Sequence, residues 1–431
     1  MRALALIDGE HYPEVVRDAL AALPYEVVGA VMLGGTEKLR GGEPDYGVRV
    51  WYRLRHALSE VDADIVVDLS DEPVVDLRRR FRLASRALAA GLPYIGADFR
   101  LEPVSFAPFE CPALAIIGSG KRVGKTAVSG HIARLLSDSR DVVVVAMGRG
   151  GPTAPVVLET SPTLGDLLEL SRAGRHAASD YIEDAALAGV TTVGARRCGG
   201  GLAGAAFLSN VEEAAHLAAS MGPDLVLLEG SGATVPEVDA GRRILVAGGH
   251  QDAHVVAGYL GAYRLFISDL VVLTMCEEPL ATPAQIEAVR AAIADVDPRL
   301  PVIATVLRPR PVEPIADRRV AYFSTAPPAV HDRLREHLEQ EHGAEVVLLS
   351  GALANREILR RELASPEAAQ AEVFLLEIKA AAIDVVAETA AERDVPVVFA
   401  DNAVRPLAGE PDLDDLVVAL ADAVAAEGVA A

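Results

Sequence analysis

The chain has 431 residues, is 51% hydrophobic but only 4% aromatic, and carries a formal net charge of −22. Its length suggests two or three domains, and its acidity argues against a nucleic-acid partner or an anionic membrane surface, both of which need a basic face. Cys111, Cys198 and Cys276 lie far apart and form neither a disulfide framework nor a zinc pattern, so a reducing cytoplasm is the expected compartment. The opening apolar run from Ala3 to Ile7 is too short for a signal peptide, and no stretch approaches the ~20 apolar residues that span a bilayer.

Strands are expected over Ala3 to Ile7, Val27 to Leu33 and Ile65 to Leu69, with helices over Pro13 to Leu23 and Asp76 to Ala90. Such alternation builds a parallel sheet with helices on its faces. Polar residues follow each strand, Asp8 to His11, Gly34 to Lys38 and Ser70 to Pro73, at the carboxyl edge where open α/β sheets place ligands. Arg78, Arg79, Arg80 and Arg82 read as a solvated helix face rather than a phosphate site. Three prolines between Leu101 and Pro112 mark a linker.

From Cys111 to Leu136 the chain carries its densest chemistry. Ala113 to Ile117 is an apolar run that reads as a buried strand. Gly118-Ser-Gly-Lys-Arg-Val-Gly-Lys-Thr126 follows, and then Val128, Ile132, Leu135 and Leu136 recur at helical spacing. A strand, a glycine loop and a helix with Gly-Lys-Thr at the junction is the context of a phosphate-binding P-loop. Glycines let backbone N–H groups converge on phosphate oxygens, and the helix N-terminus adds a favourable dipole. The expected nucleotide contacts are Gly118, Ser119, Gly120, Lys121, Arg122, Val123, Gly124, Lys125 and Thr126. Lys125 would reach the β- and γ-phosphates of ATP, and the Thr126 hydroxyl would ligate Mg2+. Ser119 stands where G-x-x-x-x-G-K-[ST] has its first glycine. Counted from Gly118 the loop is one residue longer, a spacing that resembles dethiobiotin synthetase and its relatives.

Val142 to Ala146 is the next buried strand and delivers Met147 to Pro152, with Arg149, to the same edge. Further on, Arg196 and Arg197 stand beside Gly199, Gly200 and Gly201. Such a loop either wraps an anion with guanidinium forks and backbone N–H groups or is a mobile surface loop. The acidity of the rest of the chain favours the anion site. Asp224 to Leu228 is a strand that ends in Glu229; a strand-end carboxylate near a P-loop either partners Mg2+ or caps the next turn. Strands Val271 to Thr274, Val302 to Val306 and Val320 to Ser324 continue a doubly wound pattern, with a helix over Pro283 to Ala294. Leu307 to Pro311 and Ser324 to Pro328 read as loops bordering the nucleotide base. Val346 to Leu349, Val373 to Ile378 and Val397 to Ala400 are the last strands. Lys379 either snorkels to solvent or contacts substrate. The expected fold is therefore α/β: a doubly wound, mostly parallel P-loop domain over 109–330, an N-terminal Rossmann-like domain over 1–108 and a C-terminal α/β region over 331–431.

Taken together, Ile7 to Pro13, Gly118 to Ala127, Met147 to Pro152, Val193 to Gly204, Leu228 to Ala233 and Glu377 to Ala382 resemble the family of cyclic 2,3-diphosphoglycerate synthetases along nearly the whole chain. The resemblance implies an ATP- and Mg2+-dependent enzyme that closes 2,3-diphosphoglycerate into a cyclic pyrophosphate with release of ADP and phosphate. It implies Lys125, Lys121, Arg149 and Glu229 as catalytic groups, and Thr126 and Glu229 as metal partners. Arg149, Arg196, Arg197, Gly199, Gly200 and Lys379 would contact a small anionic substrate. A homo-oligomer, a dimer, is the expected assembly. No general base is needed, because a phosphate oxygen is already a nucleophile. The competing readings are a regulatory ATPase of the MinD type and a kinase of another small phosphorylated acid. Against the first, Arg122-Val123 follows Lys121 where that group has a glycine pair.

Overall fold

The computed structural model describes residues 1–35, 45–174, 177, 179–378 and 382–429. Its N-terminal sheet has six strands among the described residues: β1 (Arg2–Ile7), β2 (Glu26–Met32), β3 (Val50–Trp51), β4 (Ile65–Asp68), β5 (Tyr94–Ile95) and β6 (Arg100–Leu101). Their order is β3-β2-β1-β4-β5-β6, parallel except for the last pair. Ala3 to Ile7 are buried without a break, as a strand covered on both faces must be.

The arginine row is a solvated face only in part: Arg78 and Arg79 are exposed, while Arg80 and Arg82 are half-buried. Its helix, Leu77–Ala89, is capped by Asp76, whose side chain accepts from the Arg79 N–H. Arg80 lies 3.0 Å from the buried Asp68 carboxylate and donates to Ser70 O. Arg79 donates to Val74 O and Leu33 O, and Arg82 to Asp295. These side chains turn back onto strand ends and a neighbouring domain, whose carbonyls and carboxylates compete with water for the guanidinium groups. The proline-rich linker is also pinned: Ala107 N–H donates to Glu237 O, and Asp239 N–H to Ala107 O.

The second sheet has thirteen strands among the described residues: β7 (Ala113–Gly118), β8 (Val142–Gly148), β9 (Val156–Leu158), β10 (Thr192–Cys198), β11 (Leu208–Ser209), β12 (Leu225–Glu229), β13 (Arg242–Gly248), β14 (Leu270–Thr274), β15 (Val302–Pro311), β16 (Arg319–Phe323), β17 (Glu345–Ser350), β18 (Val373–Glu377) and β19 (Val397–Pro406). The order is β11-β10-β8-β12-β7-β13-β14-β15-β19-β18-β16-β17, with β9 paired to β10. The P-loop strand β7 thus sits between β12, which ends in Glu229, and β13. Alternate residues of β7 serve opposite cores. Ala113, Ala115 and Ile117 face one, while Leu114 and Ile116 join Val128 and Ile132 of the P-loop helix in the other.

Leu307 to Pro311, expected as a loop, is the second half of β15, paired antiparallel with β19 from Thr305↔Pro406 to Pro311↔Ala400. The prolines are tolerated because β14 pairs only with Val302 to Ala304. Beyond that point one edge of β15 is open, and Pro309 and Pro311 leave no ladder bond unmade. The same pairing carries the sheet into the C-terminal region, where β16 lies between β17 and β18. The helix Leu413–Val429 then returns to pack Val417, Ala421 and Val424 on the P-loop core. No helix among the described residues is long and apolar enough to cross a membrane.

Candidate active site

The P-loop is shaped by its neighbours as well as by its glycines. A side chain at Gly118 would bring a Cβ to 2.5 Å from Gly232 O, so the loop after β12 is packed against the start of the P-loop. Arg122 (φ 58°) and Gly124 (φ 76°) are both left-handed. That conformation is easy for glycine and strained for arginine. Val123 between them is buried, and its carbonyl accepts from Thr274 Oγ1 at 2.7 Å. Ser119 Oγ donates to Gln251 Oε1 at 2.6 Å, and the same oxygen accepts from Gly248 N–H.

A cleft of about 380 Å3 opens over this loop. Gly120 to Thr126 form its floor, Arg149 and Gly150 come from the end of β8, and Ser231 and Gly232 come from the loop after β12. The remaining wall is the N-terminus of the helix Asp180–Ala188, through Ser179, Asp180 and Glu183. Lys121 and Arg149 are exposed in this cleft. Thr126, Lys125, Lys121 and Arg149 are therefore brought together by the fold.

Beneath the loop, the Lys125 ammonium donates to Glu229 Oε1, with both side chains buried. Burial alone would lower the Lys125 pKa. Glu229, Asp180 and Asp184 outweigh it and hold the group above its ordinary value. Asp184, one helical turn beyond Asp180, is also buried and bonds to Glu229. Desolvation, then the adjacent Glu229 charge, push the Asp184 carboxyl well above the usual carboxylate range. Two buried carboxylates in contact cannot both ionise cheaply. The cluster thus sets one buried cation against two buried acids in contact.

The arginine pair is divided by the strand that contains it. Arg196 and Arg197 belong to β10 rather than to a loop, and successive strand residues face opposite sides. Arg196 is exposed and donates through Nε to Gly151 O at 2.6 Å. Arg197 is buried and donates to Gly199 O at 2.7 Å and Ser231 O at 2.9 Å. Neither lines the cleft, so the expected joint clamp on one anion is not what the fold builds. Gly199 packs against Phe207 and accepts from Arg197 through its carbonyl, Gly200 lies beside Arg197 and Thr234, and neither glycine lines the cleft. Lys379 falls outside the described residues, as does Lys38.

Sequence reasoning did not single out Asp180, Glu183, Asp184, Gln251 or Arg264. The three acids did leave a signal, a spacing of three and four that puts them on one face of a helix. An acidic helix face is ordinarily solvated, and only the fold shows Lys125 opposite it. Among the described residues no group of three or more His, Cys, Asp or Glu is placed to hold a metal by itself. The donors that line the cleft, the Thr126 hydroxyl with the Asp180 and Glu183 carboxylates, are all hard oxygens, and Glu229 lies buried beneath them. They suit Mg2+, which ordinarily leans on one or two carboxylates and on substrate phosphates.

Comparison with known proteins agrees with this architecture. The family model described as the cyclic 2,3-diphosphoglycerate synthetase P-loop domain matches residues 113–306. The N-terminal and C-terminal domain models of the same enzyme match residues 2–102 and 311–403. The chain is 52% identical over 418 residues to the cyclic 2,3-diphosphoglycerate synthetase of Rubrobacter xylanophilus, covering 93% of this chain and 94% of that one. It is 41% identical over 425 residues to the enzyme of the same name from Methanothermus fervidus, covering 93% and 92%. Among solved structures it is similar to LpxK from Aquifex aeolicus in complex with ATP, at 13% identity and a TM-score of 0.44 over 74% of this chain and 90% of that one, a likeness too loose to carry any argument about the site. With three domain models matched in order and close relatives aligned over nearly the full length, the chain belongs to the cyclic 2,3-diphosphoglycerate synthetase family, a family of nucleotide-binding P-loop enzymes.

Proposed function

We propose that this enzyme uses ATP and Mg2+ to close 2,3-diphosphoglycerate into its cyclic pyrophosphate, releasing ADP and inorganic phosphate. The observation that carries the reading is the cleft itself, where a P-loop, the cations Lys121 and Arg149, and oxygen donors for a hard metal ion face one volume. An oxygen of one substrate phosphate attacks the γ-phosphorus of ATP, and the bond to ADP breaks. An oxygen of the neighbouring substrate phosphate then attacks the activated phosphorus; inorganic phosphate leaves and the ring closes. Each step brings anions together, so neutralising charge is the principal requirement. Lys125 and the loop N–H groups hold the β- and γ-phosphates. Lys121 and Arg149 hold the phosphates that meet there. Mg2+, held by Thr126 with Glu229 or Asp180, would supply charge neutralisation between phosphate oxygens. Arg197 acts from behind the wall by holding Ser231 and Gly232 in place. The test is ATP turnover with and without 2,3-diphosphoglycerate. ADP formation that depends strictly on the diphosphoglycerate, with release of free phosphate, is expected. Equal turnover in its absence, or transfer of phosphate without its release, would overturn the reading.

A further inference from the structure

Arg264 lies in the short helix Gly261–Phe266 and is buried, 6% exposed. A buried guanidinium ordinarily pairs with a carboxylate, because an uncompensated charge away from water is costly. Among the described residues no carboxylate forms an ion pair with Arg264. Its hydrogen bonds go to backbone carbonyls instead. Nε and Nη2 donate to Ala233 O at 3.0 and 2.8 Å, Nη2 also to Leu202 O at 3.3 Å, and Nη1 to Leu260 O at 3.2 Å. Ala233 belongs to the loop after β12 whose Ser231 and Gly232 wall the cleft. Leu202 belongs to the glycine loop that follows Arg197. Those two loops are joined again by the bond from Val235 N–H to Gly204 O at 2.8 Å. A Cβ at Gly204 would come within 2.9 Å of Ala233 O and 3.3 Å of Arg264 Nη2, so the junction has no spare room.

The same helix also reaches the other way. Leu260, at its cap, and Tyr263 are buried in the core of the N-terminal domain with Leu4, Leu6 and Trp51, and Ala203 of the glycine loop joins them. One short segment therefore presents apolar side chains to the N-terminal domain and a guanidinium to both glycine loops.

We propose that Arg264 is a positioning residue that fixes the two glycine loops behind the cleft and ties their placement to the docking of the N-terminal domain. This rests on the reading above, in which the substrate phosphates meet at Lys121 and Arg149 in the cleft that Ser231 and Gly232 help to line. Lysine in place of arginine keeps the charge but has no planar fork to span Ala233 and Leu202.

The experiment compares full-length wild type with Arg264→Lys and with Leu260→Ala, which trims the apolar docking side, where Leu260 packs with Leu4, Leu6 and Ala203, and leaves the Arg264 guanidinium in place. The first readout is backbone amide exchange. Both variants should exchange about tenfold faster in residues 199–204 and 231–235, while Ala113–Gly118 keeps its protection. The second is binding and kinetics: ATP affinity within about twofold of wild type, and KM for 2,3-diphosphoglycerate raised about tenfold or more. The double variant should lose less than the product of the two single losses, because both act on one contact. Unchanged exchange in the two loops, parallel loss of ATP and substrate binding, or independent effects in the double variant would each overturn the proposal. If wild type makes no cyclic product, the reading of function fails while the exchange result still decides the role of Arg264.

Discussion

Lys125 and Glu229 are bonded to each other beneath the P-loop, ammonium to carboxylate, with side chains 8% and 1% exposed. To touch a nucleotide phosphate, Lys125 must exchange this partner for another anion. The charge is conserved in that exchange, and Glu229 gives up its cation while keeping its contact with Asp184. Lys125→Ala should therefore abolish turnover and also destabilise the fold, by roughly 3–5 kcal/mol, since removing one member of a buried pair strands the other. Adding Glu229→Gln should restore part of that stability but no turnover. Thermal unfolding beside an activity assay distinguishes the two effects. Turnover near wild type in Lys125→Ala would sink the P-loop assignment.

Thr126→Ala and Glu229→Gln should each raise the Mg2+ concentration needed for half-maximal turnover and lower kcat. Loss of one charged oxygen contact is worth about 1.5–3 kcal/mol, or about ten- to a hundredfold. Titrating Mg2+ at saturating ATP measures it. Normal Mg2+ dependence in both variants would move the metal elsewhere.

Arg196 and Arg197 should respond differently to the same change. Arg197→Lys removes the bonds to Gly199 O and Ser231 O, and should lower kcat/KM for 2,3-diphosphoglycerate about ten- to a hundredfold while sparing ATP binding. Arg196 is exposed, and Arg196→Lys should stay within about twofold of wild type. Equal losses would show that the two side chains meet the substrate together after all.

The C-terminal region is tied to the sheet by Glu277, which pairs with Arg308 at 2.5 Å and Arg333 at 2.5 Å. Burial would raise the Glu277 carboxyl, but bonds and charges from the two arginines outweigh it and hold its pKa below the ordinary carboxylate value. A depressed folded pKa adds stability that is present above the unfolded value, near 4.5, and is lost as pH falls through the folded one. Glu277→Gln should lower stability at pH 7 by about 1.5–3 kcal/mol. It should also flatten the dependence of Tm on pH below that value. An unchanged acid limb would show that other carboxylates set it.

Much of this was legible in the chain because it depends on residues adjacent in sequence. The P-loop, its flanking strand and helix, and the strand ends at Arg149 and Glu229 follow from apolar runs interrupted by glycine and charge. What was not legible depends on contacts across the fold. Asp184 acquires its role only because its helix packs against the P-loop helix, and Arg264 only because two distant loops converge on it. Pro309 and Pro311 read as loop residues because proline usually ends a strand, and only the pairing with β19 shows that they sit on an open edge. The arginine row was legible only as a solvated face, which holds for the exposed Arg78 and Arg79; the contacts to Asp68 and Leu33 O are brought to it by the N-terminal sheet.

The central claim is that one protein closes a ring between two phosphates at the expense of ATP. The most direct measurement is phosphorus NMR of the enzyme with ATP, Mg2+ and 2,3-diphosphoglycerate. The two phosphomonoester signals of the substrate should disappear together and be replaced by pyrophosphate-type ring signals, as ADP and inorganic phosphate appear in equal amounts. Loss of ATP with the diphosphoglycerate signals unchanged, or a new linear phosphoanhydride without a ring, would contradict it.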